Sequence, residues 1–134
     1  MSTPFRQGLI PQWIQSLNLP LPVDGAEQPQ GQGRWSVTFD QVRVHLLALN
    51  DDQVLLQARI TDVPSPPSES EKLLTRALQT ASARMRETDV GLCADADGSA
   101  LWLQVRLPAR SASHQLHQAV ERLVQEVELW RRVL

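Results

Sequence analysis

Apolar residues recur along this chain at two spacings, helical in some stretches and alternating in others, and the order of the stretches sets out an architecture. Helical spacing opens at residues 3–17, where Phe5, Leu9, Ile10, Trp13, Ile14 and Leu17 form one stripe behind a Ser2 or Thr3 cap and Pro4. Pro11 interrupts that stripe, because a proline inside a helix removes a hydrogen bond and clashes with the preceding turn, at about 3 kcal/mol. The helix therefore kinks at Pro11 or starts near it. After residues 20–33, which carry the Pro, Gly and Gln of a surface loop, come alternating stretches at 34–39, 42–49 and 53–60. A helix at 71–85, strands at 90–94 and 100–107 and a helix at 113–134 complete the chain. This α-β-β-β-α-β-β-α order predicts an α+β fold, an antiparallel twisted sheet packed with helices, in one domain over residues 1–134.

The first three strands can be read in register. With Asp40-Gln41 as a two-residue turn, Phe39 faces Val42, Val37 faces Val44 and Trp35 faces Leu46, so the large apolar groups share one face. A three-residue loop at Asn50-Asp51-Asp52 sets Leu46 opposite Leu56 and Val44 opposite Ala58. The other face is then polar, with Ser36, Thr38, Arg43, His45, Gln53, Gln57 and Arg59. Leu47, Leu49 and Leu55 break the pattern, and the same register puts Leu47 across from Leu55. A contiguous apolar cluster where water is expected marks a candidate contact surface.

Ser68 and Glu71 offer a capping box ahead of the stripe Leu73, Leu74, Ala77, Leu78, Ala81 and Met85, whose alanines would let another backbone approach closely. A four-residue turn at Asp95-Ala96-Asp97-Gly98 pairs Leu92 with Leu101 and Val90 with Leu103, leaving Trp102 on the opposite face. In the last helix Leu116, Val120, Leu123, Val127 and Trp130 make the face that lies on the sheet.

Composition narrows the class. A chain of 134 residues is one domain, long enough to bury roughly 65–70% of its unfolded surface. With Lys plus Arg at 13, Asp plus Glu at 15 and a net charge of −2, there is no basic footprint for nucleic acid or an anionic membrane. The N-terminus lacks the apolar run of a secretion signal, and Cys93 has no intramolecular partner, so a cytoplasmic location is expected. Lys72 is the sole lysine among many arginines, as in proteins from GC-rich bacterial genomes.

No catalytic or cofactor motif stands out. His114 and His117 share a helix face but lack an evident third ligand, and Asp95-Ala96-Asp97-Gly98 lacks the later ligands of a calcium loop. Cys93 sits in an apolar strand pattern with no histidine placed to activate it, as a small buried hydrophobe would. Nucleophile elbow, dinucleotide fingerprint, phosphate loop and HExxH are all missing. No metal, cofactor or turnover is expected, and the role left is binding another protein.

With the segments placed, the chain resembles the class I type III secretion chaperones of the Tir chaperone family. The likeness runs through FRQGLIPQWIQSLNLPL at residues 5–21, the acidic loop at Asp24-Gly25 and the strand triplet. It continues in LLTRAL after the proline-rich loop, in the DADGSALWLQVRLP hairpin and in the closing helix with Trp130. Two departures are Pro11 and the absence of the family's "LL-x-x-N" form. The resemblance implies a homodimer that binds the N-terminal segment of a secreted effector in extended form, keeping it soluble and export-competent. The arginine-rich, lysine-poor composition is similar to that of chaperones serving ExoU-type phospholipase effectors.

These readings place effector contacts on Trp13, Ile14, Leu17, Leu47, Leu49 and Leu55, and the homodimer contact on Leu73, Ala77, Leu78, Ala81 and Trp102. Two rivals remain open. A small α+β ligand-binding domain or enzyme would show titratable groups converging in a pocket, and a general adaptor would bind folded partners.

Overall fold

A computed structural model describes residues 34–49 and 52–134. The expected first helix at 3–17, with Trp13, Ile14 and Leu17, lies outside the described residues.

Strands β1 (Arg34–Phe39) and β2 (Val42–Ala48) pair antiparallel in the expected register, Phe39 with Val42, Val37 with Val44 and Trp35 with Leu46. Asp40 and Gln41 both have positive φ, 48° and 69°, the backbone of a type I′ turn whose twist matches that of the flanking strands. Strand β3 (Gln53–Asp62) pairs with β2 as expected, Leu46 with Leu56 and Leu47 with Leu55. Asp52, at φ 60°, supplies the left-handed residue that closes the connection, and the Leu49 N–H donates to the Gln53 carbonyl at 2.8 Å.

The central helix (Pro67–Arg84) starts earlier than the capping signal implies. Pro66 stands at the cap position and Pro67 at the first helical position, where a missing N–H costs nothing. Ser68 is therefore already helical and the expected capping box does not form. Strands β4 (Gly91–Ala94) and β5 (Ala100–Pro108) follow, and β5 inserts beside β3 to give the antiparallel order β1-β2-β3-β5-β4. Their pairing is shifted from expectation by two residues: Leu92 faces Leu103 and Ala94 faces Leu101. The cause is Ser99, which joins the turn by donating its N–H to Asp97 Oδ1 at 3.1 Å and its hydroxyl to Asp95 Oδ2 at 2.9 Å. Gly98 supplies the positive φ of 72°. A shift of two leaves every side chain on its predicted face.

One face of the sheet forms the core. Val37, Val44, Leu46, Val54, Leu56, Ala58, Leu103 and Val105 are buried there, under a C-terminal helix (Ser113–Val133) that packs across β2, β3 and β5. Leu116, Val120, Leu123, Val127 and Trp130 are the buried face of that helix, as their spacing predicts. At its start the Gln115 side chain accepts from the Ala112 N–H at 2.8 Å. In its last turn Arg131 donates to the Arg59 carbonyl at 3.1 Å, where β3 bulges between Arg59 and Thr61.

The central helix joins the same core by one edge only. Ala77 is 1% exposed, with Leu73 and Ala81 half-buried against the core, while Leu74, Leu78 and Met85 are 40%, 65% and 72% exposed. Arg84 at its end makes a two-pronged ion pair with the buried Glu126 of the C-terminal helix, Nε to Oε2 at 3.3 Å. That carboxylate holds the Arg84 pKa above its ordinary value, against a smaller opposing effect of burial.

Candidate binding surfaces

Alternation in the strands gives the sheet a second face, turned away from the C-terminal helix. Across the strands it carries Leu47, Leu55 and Arg106 in one row. Ser36, His45, Gln57, Gln104 and Gly91 make the next, and beyond them Thr38 stands across from Arg43, Arg59 from Trp102, and Trp102 from Cys93. Leu47 and Leu49 are half-buried. Leu55 is only 8% exposed, so it is not the open surface expected of it; it lies on a middle strand between Leu47 and Arg106.

Trp102 completes this surface. Its ring lies 5.5 Å from that of His45, tilted by 58°. Its indole N–H is buried and has no hydrogen-bond partner among the described residues, an arrangement that costs about 1–3 kcal/mol until an acceptor arrives. Beside it is a niche of about 260 Å³ lined by His45, Leu47, Gln57, Cys93, Ala94, Asp95 and Trp102. Gln57 donates to Gln104 Oε1 at 3.2 Å, and the Cys93 thiol points at the same oxygen at 3.6 Å. Cys93 is thus on this outward face, not in the core as its strand pattern suggests. Burial, then the nearby Asp95, pushes its thiol pKa up, away from nucleophilic thiolate character.

The second surface is the free edge of the central helix, formed by Leu74, Leu78 and Met85. Of the residues expected at a homodimer contact, Leu78 stands there, whereas Leu73, Ala77 and Ala81 turn toward the protomer's own core. Trp102 is not grouped with them. The helix joins the inner side of the sheet through Ala77 and the Arg84–Glu126 pair, while Trp102 faces outward with His45. One contact using both would have to wrap around β4, the edge strand. The sequence pattern carried no sign of this split, since residue spacing shows a stripe but not which of its edges finds a partner.

Titratable groups do approach one another in a niche of about 320 Å³ between the β1–β2 turn and the C-terminal helix, lined in part by Asp40, His117, Glu121 and Glu128. All four are exposed, and His117 stands 3.8 Å from Glu121. Among the described residues no cluster of three or more His, Cys, Asp or Glu could hold a metal ion, and no helix is long and apolar enough to cross a membrane. Asp95 and Asp97 are engaged by Ser99 in the hairpin turn, which draws the Asp97 pKa below its ordinary value.

The fold has close counterparts among solved structures. A chain of the HopA1–SchA chaperone–effector complex superposes with a TM-score of 0.68 at 17% identity, covering 96% of this chain and 94% of that one. A chain of the ExsC–ExsE complex gives 0.67 at 21% identity, covering 96% and 92%. A chain of the ExoU–SpcU complex, from the type III secretion system of Pseudomonas aeruginosa, gives 0.64 at 19% identity, covering 93% and 97%. These likenesses establish the fold, and the ExoU–SpcU chain is not singled out among them. No curated protein sequence matches the chain. The sequence pattern of the Tir chaperone protein (CesT) family does match, over residues 9–131, and the chain belongs to that family.

Proposed function

We propose that the protein is a type III secretion chaperone that binds the N-terminal chaperone-binding segment of an effector in extended form and keeps it soluble and competent for export. Family membership over residues 9–131 supports the class of function. The observation that carries the mode of binding is the outward sheet face, where half-buried Leu47 and Trp102 interrupt polar positions beside a niche of about 260 Å³. An extended segment suits such a face, because backbone hydrogen bonds give affinity and alternate side chains reach shallow patches. Leu47 and Leu49 belong to this contact, Leu55 supports Leu47 from the neighbouring strand rather than meeting the segment, and Trp13, Ile14 and Leu17 are its proposed extension along the chain.

The working form is a homodimer in the bacterial cytoplasm, joined through the free edge of the central helix around Leu78. Three exposed apolar side chains on one helix are best explained by a partner surface. Chemistry is carried by surfaces alone, with no cofactor, metal or turnover. The test is co-purification from the source bacterium, with identification of the bound protein and mapping of the bound segment by truncation. Recovery of an effector that binds through its N-terminal segment supports the reading, and a chelator leaves that capture unchanged. An effector bound only as a folded domain contradicts it.

A further inference from the structure

The indole N–H of Trp102 is closed to water and has no hydrogen-bond partner among the described residues. Buried polar groups are nearly always paired, so an orphan of this kind points to a group that the free protein lacks. The niche beside it, about 260 Å³, is smaller than the roughly 300 Å³ at which pockets begin to enclose a whole small molecule, and it suits a single side chain. Leu47, Ala94 and the Trp102 ring give it apolar walls, and Asp95 is the one carboxylate on its lining. The Asp95 charge acts inside the niche: after burial, it is the second cause that raises the pKa of the Cys93 thiol. Asp95 Oδ2 accepts from the Ser99 hydroxyl at 2.9 Å, and a carboxylate has acceptor capacity beyond one such bond. Gln57 and the Cys93 thiol are both turned to Gln104 Oε1, at 3.2 Å and 3.6 Å. The niche thus joins an unmet donor, Trp102, to a charged acceptor, Asp95, across apolar walls.

We propose that this niche takes the side-chain carboxamide of a glutamine or asparagine from the extended segment, its carbonyl accepting from Trp102 as the ring turns toward it and its amino group donating to Asp95. The inference rests on the reading of the outward face as the effector surface and adds the chemistry of one position in the segment. A carboxamide carries an acceptor and a donor in one small neutral group, which matches both ends of the niche. A carboxylate would accept from the indole but meet the like charge of Asp95. An ammonium group would pair with Asp95 and leave the indole orphaned, and an alkyl side chain would leave both groups unmet.

The experiment uses the full chain with isotopically labelled tryptophan and four synthetic peptides of alternating leucine and serine, alike but for a central glutamine, glutamate, lysine or leucine. The Trp102 indole resonance, assigned by its proximity to the His45 ring, is followed by NMR as each peptide is added. The glutamine peptide is expected to move it downfield, as a new hydrogen bond does, and to bind about threefold to tenfold more tightly than the leucine peptide, the worth of one neutral hydrogen bond. Trp102→Phe keeps an aromatic ring, removes the donor and abolishes that preference, with urea unfolding as the check that the variant is folded. Asp95→Asn removes the like charge, and the glutamate peptide gains on the glutamine peptide. An indole resonance that the glutamine peptide leaves unmoved, or a glutamine preference that survives in folded Trp102→Phe, overturns the proposal. If Trp102→Phe does not fold, the wild-type resonance decides. Affinity for the co-purified effector separates the two readings. If wild type and Trp102→Phe bind it equally, the carboxamide subsite fails while the chaperone reading stands. If wild type captures none, the chaperone reading fails and the indole resonance alone decides the chemistry of the niche.

Discussion

Leu47 on β2 stands directly across from Leu55 on β3, on the sheet face turned away from the C-terminal helix, yet the two leucines are covered to different degrees. Leu55 is 8% exposed and Leu47 half-buried, so they divide between stability and binding. Leu55→Ala is expected to lower unfolding stability by about 2 kcal/mol, as for other buried leucines at sites that partly collapse. Leu47→Ser leaves denaturant unfolding nearly unchanged and weakens effector capture by about tenfold to a hundredfold, the loss of one buried leucine contact. Full binding by a stable Leu47→Ser variant would move the site elsewhere.

Leu78 and Leu74 give the helix edge its apolar character. Burying each in a homodimer contact contributes about 1.5–3 kcal/mol, so a Leu74→Glu, Leu78→Glu variant raises the dimer dissociation constant at least about a hundredfold. Light scattering at micromolar concentration is expected to show dimeric wild type and a folded, monomeric variant. A variant that stays dimeric places the interface on another surface.

Gln41 holds a φ of 69° in the β1–β2 turn, a conformation that glycine adopts freely and a side chain does not. Gln41→Gly creates the Asp-Gly pair favoured in type I′ turns and is expected to raise stability by about 0.5–1 kcal/mol in urea unfolding. Unchanged or lower stability would show that the turn is not under this strain.

The Asp97 carboxylate accepts from Ser99, whose side-chain and backbone contacts hold the Asp97 pKa below its ordinary 3.8. A carboxyl with a lowered folded-state pKa contributes stability above its unfolded-state pKa, and that contribution is lost as pH falls through the folded value. The hairpin is therefore expected to weaken in acid, below about pH 3.8, and Asp97→Asn removes this part of the acid sensitivity. NMR titration of the carboxyl checks the direction, and a midpoint above 3.8 contradicts it.

Much of the sheet was legible in the sequence because alternation and a two-residue turn leave one register that keeps Val37, Val44 and Ala58 on a common face. The β4–β5 slip was not legible, since it depends on Ser99 hydrogen bonding to two aspartates rather than on hydrophobic pattern. The helix start was misread for a similar reason: Ser68 and Glu71 spell a capping box, but Pro67 can already occupy the first helical position. The outward site was half legible. Leu47 and Leu55 show as breaks in a polar face, whereas the meeting of Trp102 with His45 needs β5 beside β3, an order that no local spacing encodes.

The central claim is that this chain holds an effector's N-terminal segment in extended form. Affinity purification of the protein from its source bacterium, followed by mass spectrometry and limited proteolysis of what is bound, tests it most directly. The expected result is one secreted effector whose N-terminal segment is protected by the chaperone while lacking a fold of its own. Recovery of the protein alone, or bound to a partner only through a folded domain, would contradict it.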